Sequence, residues 1–118
     1  MNSQSMIDIP TFEALKDAIG EDFIDELLQA YYDETPQLLA NLQQALAKKD
    51  SEAFRLFAHS LKSTSKSFGA LQFGELAREL EMIGKEGKLE EASEKVEALV
   101  SGYESVKQAL EGLNHGLQ

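Results

Sequence analysis

The 118-residue chain predicts an all-α protein, an up-down-up-down antiparallel four-helix bundle with a short extra helix at its N-terminus. Three observations lead there. Ala, Leu, Glu, Lys and Gln dominate while Val and Ile are sparse, a composition of strong helix formers. Apolar residues recur at intervals of three and four, and strand-like alternation is absent. The interruptions are short and carry Gly, Asp or Ser, so consecutive helices should run antiparallel.

The first short helix is expected over residues 11–19, with Thr11 as its cap, Phe12, Leu15 and Ile19 on one face, and Gly20 as its stop. A second spans residues 22–48 on Phe23, Leu27, Leu28, Tyr31, Leu38, Leu39, Leu42, Ala45 and Leu46. Pro36 interrupts it, so a kink or short break is expected just before that residue. Asp50 or Ser51 caps the third helix, residues 51–68, which ends at Gly69. The fourth, residues 72–84, places Phe73, Leu76, Ala77, Leu80 and Ile83 on one face and fades into Gly84-Lys85-Glu86-Gly87. The last, residues 88–112, carries Leu89, Ala92, Val96, Leu99, Val100, Tyr103, Val106 and Leu110, and the chain should fray from Leu113 onward. Together these make a single domain over 1–118.

Composition excludes several functions. No stretch approaches the roughly 18 apolar residues that cross a bilayer, and the polar start Met1-Asn2-Ser3-Gln4-Ser5 does not read as a signal peptide. Without cysteine there are no disulfides, no thiolate catalysis and no zinc finger. The two histidines, His59 and His115, belong to no His-x-x-x-His or Glu-x-x-His pair, so neither a metal nor another cofactor is expected. Twenty-one acidic residues against eleven basic ones leave a net charge of −10, which disfavours nucleic acid and anionic membranes as partners. The expectation is a cytoplasmic domain, monomeric because one complete bundle buries its own core.

Against that acidic background the third helix is out of character. At about 100° per residue, with His59 at zero, Arg55 falls at about 320°, Lys62 at about 300°, Ser63 at about 40° and Lys66 at about 340°. Phe54, Phe57, Leu61 and Phe68 fall on the opposite side and can bury. His59 is therefore outward, among three cations and a small hydroxyl. This is a face built to receive an anion, and the anion that an imidazole holds covalently is phosphate. Thr64 and Ser65 fall at the edges of the buried stripe and read as small packing residues bonded back to the preceding turn.

The run His59-x-Leu61-Lys62-x-x-Ser65-x-x-Phe68-Gly69-Ala70 resembles the signature of the histidine-containing phosphotransfer (HPt) domain. A preceding helix with a Thr-Pro interruption, an Ala-Lys-Lys-Asp turn before the histidine helix and a final amphipathic helix extend the resemblance over nearly the whole chain. It implies a phosphorelay intermediate in two-component signalling. His59 would take a phosphoryl group from a receiver-domain aspartyl phosphate, or from a kinase, and pass it to another receiver, without kinase or phosphatase activity of its own. The partners implied are response-regulator receiver domains or a hybrid sensor histidine kinase, the receivers supplying the magnesium site. Lys62, one turn on, matches the family lysine assigned to the phosphoryl oxygens.

Arg55 and Lys66 are weaker candidates for the same task or for meeting a receiver's acidic pocket. Ser63 is a departure, since the family usually has glycine there; it narrows access, and its hydroxyl can hydrogen-bond the phosphate. Phe68 reads as a core anchor, Gly69 as the turn, and Ala70 as the point where the next helix approaches. His59 lies eleven residues before Ala70 and Glu81 eleven after it, so antiparallel packing brings the two level and lets Glu81 accept from the second ring nitrogen. Leu56 is a candidate docking contact or else packs under Tyr31 or Tyr32.

The rivals fit less well. A histidine-kinase dimerisation domain carries a proline soon after its histidine, and none follows within six residues of His59. An ATP-using enzyme needs a phosphate-cradling glycine loop, and no Gly-x-Gly occurs. The remaining alternative is a non-phosphorylated helical adaptor for a signalling partner, which leaves the cationic stripe an accident.

Overall fold

The computed structural model describes residues 6–114, which form five α-helices and no strand among the described residues. They are α1 (Ile9–Ile19), α2 (Glu21–Lys48), α3 (Ser51–Ser67), α4 (Leu71–Glu86) and α5 (Ser93–Asn114). A single 3₁₀ turn, Leu89–Glu91, precedes α5. The tail expected to fray from Leu113 is helical at its start: Leu113 and Asn114 still belong to α5, and His115 to Gln118 lie outside the described residues.

Several boundaries differ from the sequence reading, each for a local reason. Asp8, not Thr11, caps α1: its carboxylate accepts from the Thr11 backbone N–H at 3.2 Å and from the Thr11 hydroxyl. Pro10 fits the first turn, where its missing N–H costs nothing. The last helix begins at Ser93 rather than Lys88, because Leu89 and Ala92 are both buried at a three-residue spacing that the tighter turn serves. α2 runs unbroken through Pro36, so the expected break is absent. Proline removes one backbone bond there, and Tyr31, Thr35, Leu39 and Leu42, buried on both sides of it, hold the helix together.

The apolar phase of α2 is also corrected. Phe23 is 60% exposed and Leu27 40%, while their neighbours Ile24 and Leu28 enter the core. Each adjacent pair offers two choices, and the one in phase with Tyr31, Thr35 and Leu39 wins. At the start of α3 it is Asp50 that caps, accepting from the Ala53 N–H at 3.1 Å.

α3 packs between α2 and α4, and its contact with α4 is the most extensive in the molecule; α5 touches α4 and α2, and α1 lies across α2 and α3. The α4 side of the α3 contact is the row Gly74, Ala77, Glu81 and Gly84, all buried. A Cβ at Gly84 would stand 3.1 Å from the N, Cα and Cβ of Arg55, so the two backbones meet there without an intervening side chain. On the other flank, the Tyr31 hydroxyl and the buried Ser65 hydroxyl are 2.7 Å apart, joining α2 to α3. Sequence reading placed the Ser65 bond within its own helix; it crosses to α2 instead.

Phe68, Gly69 and Ala70 are buried at the α3–α4 turn. Gly69 has φ +92°, a Cβ there would meet the Asp8 carbonyl oxygen at 2.7 Å, and its own carbonyl accepts from the Asp8 N–H at 2.7 Å. The turn that ends α3 is thus strapped by the segment leading into α1. Gly69→Ala should therefore lower stability by about 1–3 kcal/mol. Gly102→Ala on α5, where a Cβ meets nothing within 4 Å, should raise it by about 0.5–1 kcal/mol. Urea midpoints of the two variants, moving in opposite directions, check both.

Candidate functional site

Phe54, Ala58, Leu61 and Ser65 point α3 into the core and so turn His59 outward. Its side chain is 54% exposed, whereas that of Glu81, facing it from α4, is 10% exposed. The ring Nδ1 lies 3.0 Å from Glu81 Oε2. With a carboxylate as its partner, Nδ1 is the nitrogen that donates, and in that tautomer the lone pair is on Nε2.

The same carboxylate holds Lys62. Its Nζ stands 2.8 Å from Oε1. The contact is a close ion pair, held by an ammonium on a flexible stem that can rotate. Burial pushes the Glu81 carboxyl up, but Lys62 and His59 together outweigh it and hold the group below the usual carboxylate range. Glu81 is therefore a buried charge compensated from one side by a cation and from the other by an imidazole.

The remaining cations arrive already partnered. Arg55 pairs with Glu52 one turn back on α3, Lys66 with Glu75 on α4 at 3.5 Å, and Arg78 with the same Glu75. The stripe around His59 is consequently balanced rather than bare. Ser63 is exposed beside His59, and its hydroxyl has no hydrogen-bond partner among the described residues. Leu56 is 50% exposed, so it does not pack under Tyr31 or Tyr32. It sits one turn before Ser60, which with Thr64 of α3 and Glu34, Gln37 and Leu38 of α2 lines a shallow groove.

The structure thus brings together His59, Lys62 and Glu81, sets Ser63, Leu56, Arg55 and Lys66 around them, and keeps Phe68, Gly69 and Ala70 as scaffold. Sequence reasoning missed Glu52 and Glu75, the carboxylates that engage Arg55 and Lys66. Glu52 was visible as an i, i+3 partner of Arg55, whereas Glu75 reaches Lys66 only through the α3–α4 register. Among the described residues no group of three or more His, Cys, Asp or Glu side chains is placed to hold a metal, and no helix is long and apolar enough to cross a membrane.

The chain is similar to known proteins in sequence and in fold. The sequence model of the Hpt domain matches residues 26–114. No curated protein matches the chain. The crystal structure of histidine-containing phosphotransfer protein B (HptB) from Pseudomonas aeruginosa PAO1 is similar, with a TM-score of 0.87 at 25% sequence identity, over 96% of this chain and 97% of that one.

The Glu81 site also makes a prediction about stability. A carboxylate whose folded-state pKa lies below its unfolded value, near 4.5, stabilises the fold above that value and ceases to as the pH falls through the folded one. At neutral pH, Glu81→Gln should cost about 1–3 kcal/mol, the range for a hydrogen bond to a charged group. Urea unfolding of the two proteins should show that difference intact at pH 6–8 and shrinking as the pH drops below 4.5.

Proposed function

The chain belongs to the Hpt domain family and is a phosphorelay intermediate of two-component signalling; from that premise we propose that Nε2 of His59 is the atom that carries the phosphoryl group. The observation that supports this reading best is the half-exposed imidazole whose other nitrogen is held by a buried carboxylate. The ring is fixed in orientation, and its free lone pair faces solvent and partners.

In the forward step the Nε2 lone pair attacks the phosphorus of a receiver's aspartyl phosphate. The N–P bond forms, the P–O bond to the aspartate breaks, and the receiver recovers its carboxylate. The ring gains positive charge while the Nδ1 proton stays in its bond to Glu81, whose negative charge stabilises the imidazolium. Lys62 rotates from Oε1 toward the phosphoryl oxygens, neutralising charge there as a point cation. Transfer to a second receiver is the same sequence reversed.

Hpt domains are phosphocarriers rather than kinases or phosphatases. With no Gly-x-Gly loop to cradle a nucleotide, this chain is proposed to have no kinase or phosphatase activity of its own. Leu56 and the adjoining α2–α3 groove would give a receiver its apolar contact beside the histidine, Arg55 and Lys66 its ionic ones. The short connections and the neighbour relations of α2 to α5 support an up-down-up-down four-helix bundle with α1 as an added short helix. It would act as a single-domain monomer in the cytoplasm.

The test is transfer from a panel of receiver domains preloaded with labelled aspartyl phosphate. Wild type should take up acid-labile, alkali-stable label and His59→Gln none. Lys62→Ala should be labelled at the same residue but roughly 10- to 100-fold more slowly, below the loss for a buried oxyanion donor because this site is open to water. Equal labelling of His59→Gln would move the phosphoryl site elsewhere.

A further inference from the structure

Of the six hydroxyls of α3, those of Ser51, Ser60 and Ser63 have no hydrogen-bond partner among the described residues, and Ser63 is the one beside His59. A serine or threonine within a helix commonly bonds the carbonyl four residues back, and Thr64 does so to Ser60, Ser67 to Ser63, and Ser101 on α5 to Glu97. Ser65 is committed to Tyr31. The corresponding carbonyl for Ser63 is that of His59 itself, and no such bond is made. Ser60 is also unbonded, but it lies about 100° around the helix from His59, whereas Ser63 lies about 40° away and one turn on, at a Cβ separation of about 5–6 Å.

A phosphoryl group on Nε2 brings close to two negative charges and three strong acceptor oxygens. Arg55, Lys62 and Lys66 each already face a carboxylate. We propose that the Ser63 hydroxyl is a free donor held for the phosphoryl oxygens of phospho-His59, and that it prolongs the life of the phosphohistidine. The proposal rests on His59 as the carrier.

Spontaneous loss forms a P–O bond to water and breaks the P–Nε2 bond; the bond pair returns to Nε2, leaving a neutral imidazole that keeps its Nδ1 proton, and the water's protons leave with the inorganic phosphate. A hydrogen bond from Ser63 to an equatorial oxygen opposes the departure of that group with its charge. The experiment loads the full chain with phosphoramidate, which needs no receiver, and follows by phosphorus NMR at neutral pH the phosphohistidine signal that is missing from His59→Gln. Ser63→Ala and Ser63→Gly should both shorten its half-life, by about threefold to tenfold for one net hydrogen bond, and Ser63→Thr should preserve it. A Ser63→Ala half-life equal to wild type, or a Ser63→Thr loss as large as that of alanine, overturns the role of the hydroxyl. A spectrum identical in wild type and His59→Gln overturns His59 itself, a separate failure.

Discussion

Glu81 is the group on which the geometry around His59 turns. A carboxylate that is nine-tenths out of water is costly unless it is compensated, and α3 supplies both compensations, the imidazole at one oxygen and Lys62 at the other. That requires α3 and α4 to lie close and in one register. Gly84 lets α4 touch the backbone of Arg55, Ala77 packs with no bulk, and the α3–α4 turn at Gly69 sets the two helices level. A one-residue slip would carry Glu81 about 100° around α4, away from both partners. The site and the tightest packing in the molecule are one constraint seen twice.

Charge balance follows from the same contact. The protein carries a net −10, yet the patch around His59 interleaves Arg55, Lys62, Lys66 and Arg78 with Glu52, Glu75 and Glu81. Most of these pairs are exposed and contribute little stability individually. Their effect is on approach: an acidic surface meets repulsion over most of the molecule and a balanced window at the imidazole. Exchange of partners at that window, as Lys62 illustrates, needs only the rotation of side chains.

Much of this was legible in the sequence, because helical periodicity fixes which face is apolar. The outward His59, the Lys62 beside it and the level register of Glu81 follow from counting residues. What escaped depended on choices that local pattern leaves degenerate. Phe23-Ile24 and Leu27-Leu28 each present two candidates for one core position, and only packing against α3 and α5 selects Ile24 and Leu28. Thr11 looked like a cap until Asp8, three residues earlier, took its N–H. Leu89 and Ala92 fit a helix or a 3₁₀ turn equally well. Pairing of Lys66 with Glu75, and of Ser65 with Tyr31, lies between elements and leaves no trace in either one's periodicity.

The two devices that orient α3 respond differently to pH. The Tyr31 hydroxyl, pushed up to about 12 by burial and only partly relieved by its bond to Ser65, stays neutral at neutral pH. It pins the rotation of α3 as an uncharged hydrogen bond. Glu81 works as a charge, and that choice has two sides. On the proposed mechanism its negative charge would support the ring cation formed by Nε2 attack, yet it would repel a phosphoryl dianion on the same ring. Lys62, paired with Oε1 at 2.8 Å, would resolve the conflict. It neutralises the carboxylate while the ring is bare and can share its charge with the phosphoryl oxygens once they arrive. A neutral glutamine at position 81 would still orient the ring, but it would neither hold Lys62 in readiness nor favour the imidazolium. The carboxylate suits a carrier that must both accept and release.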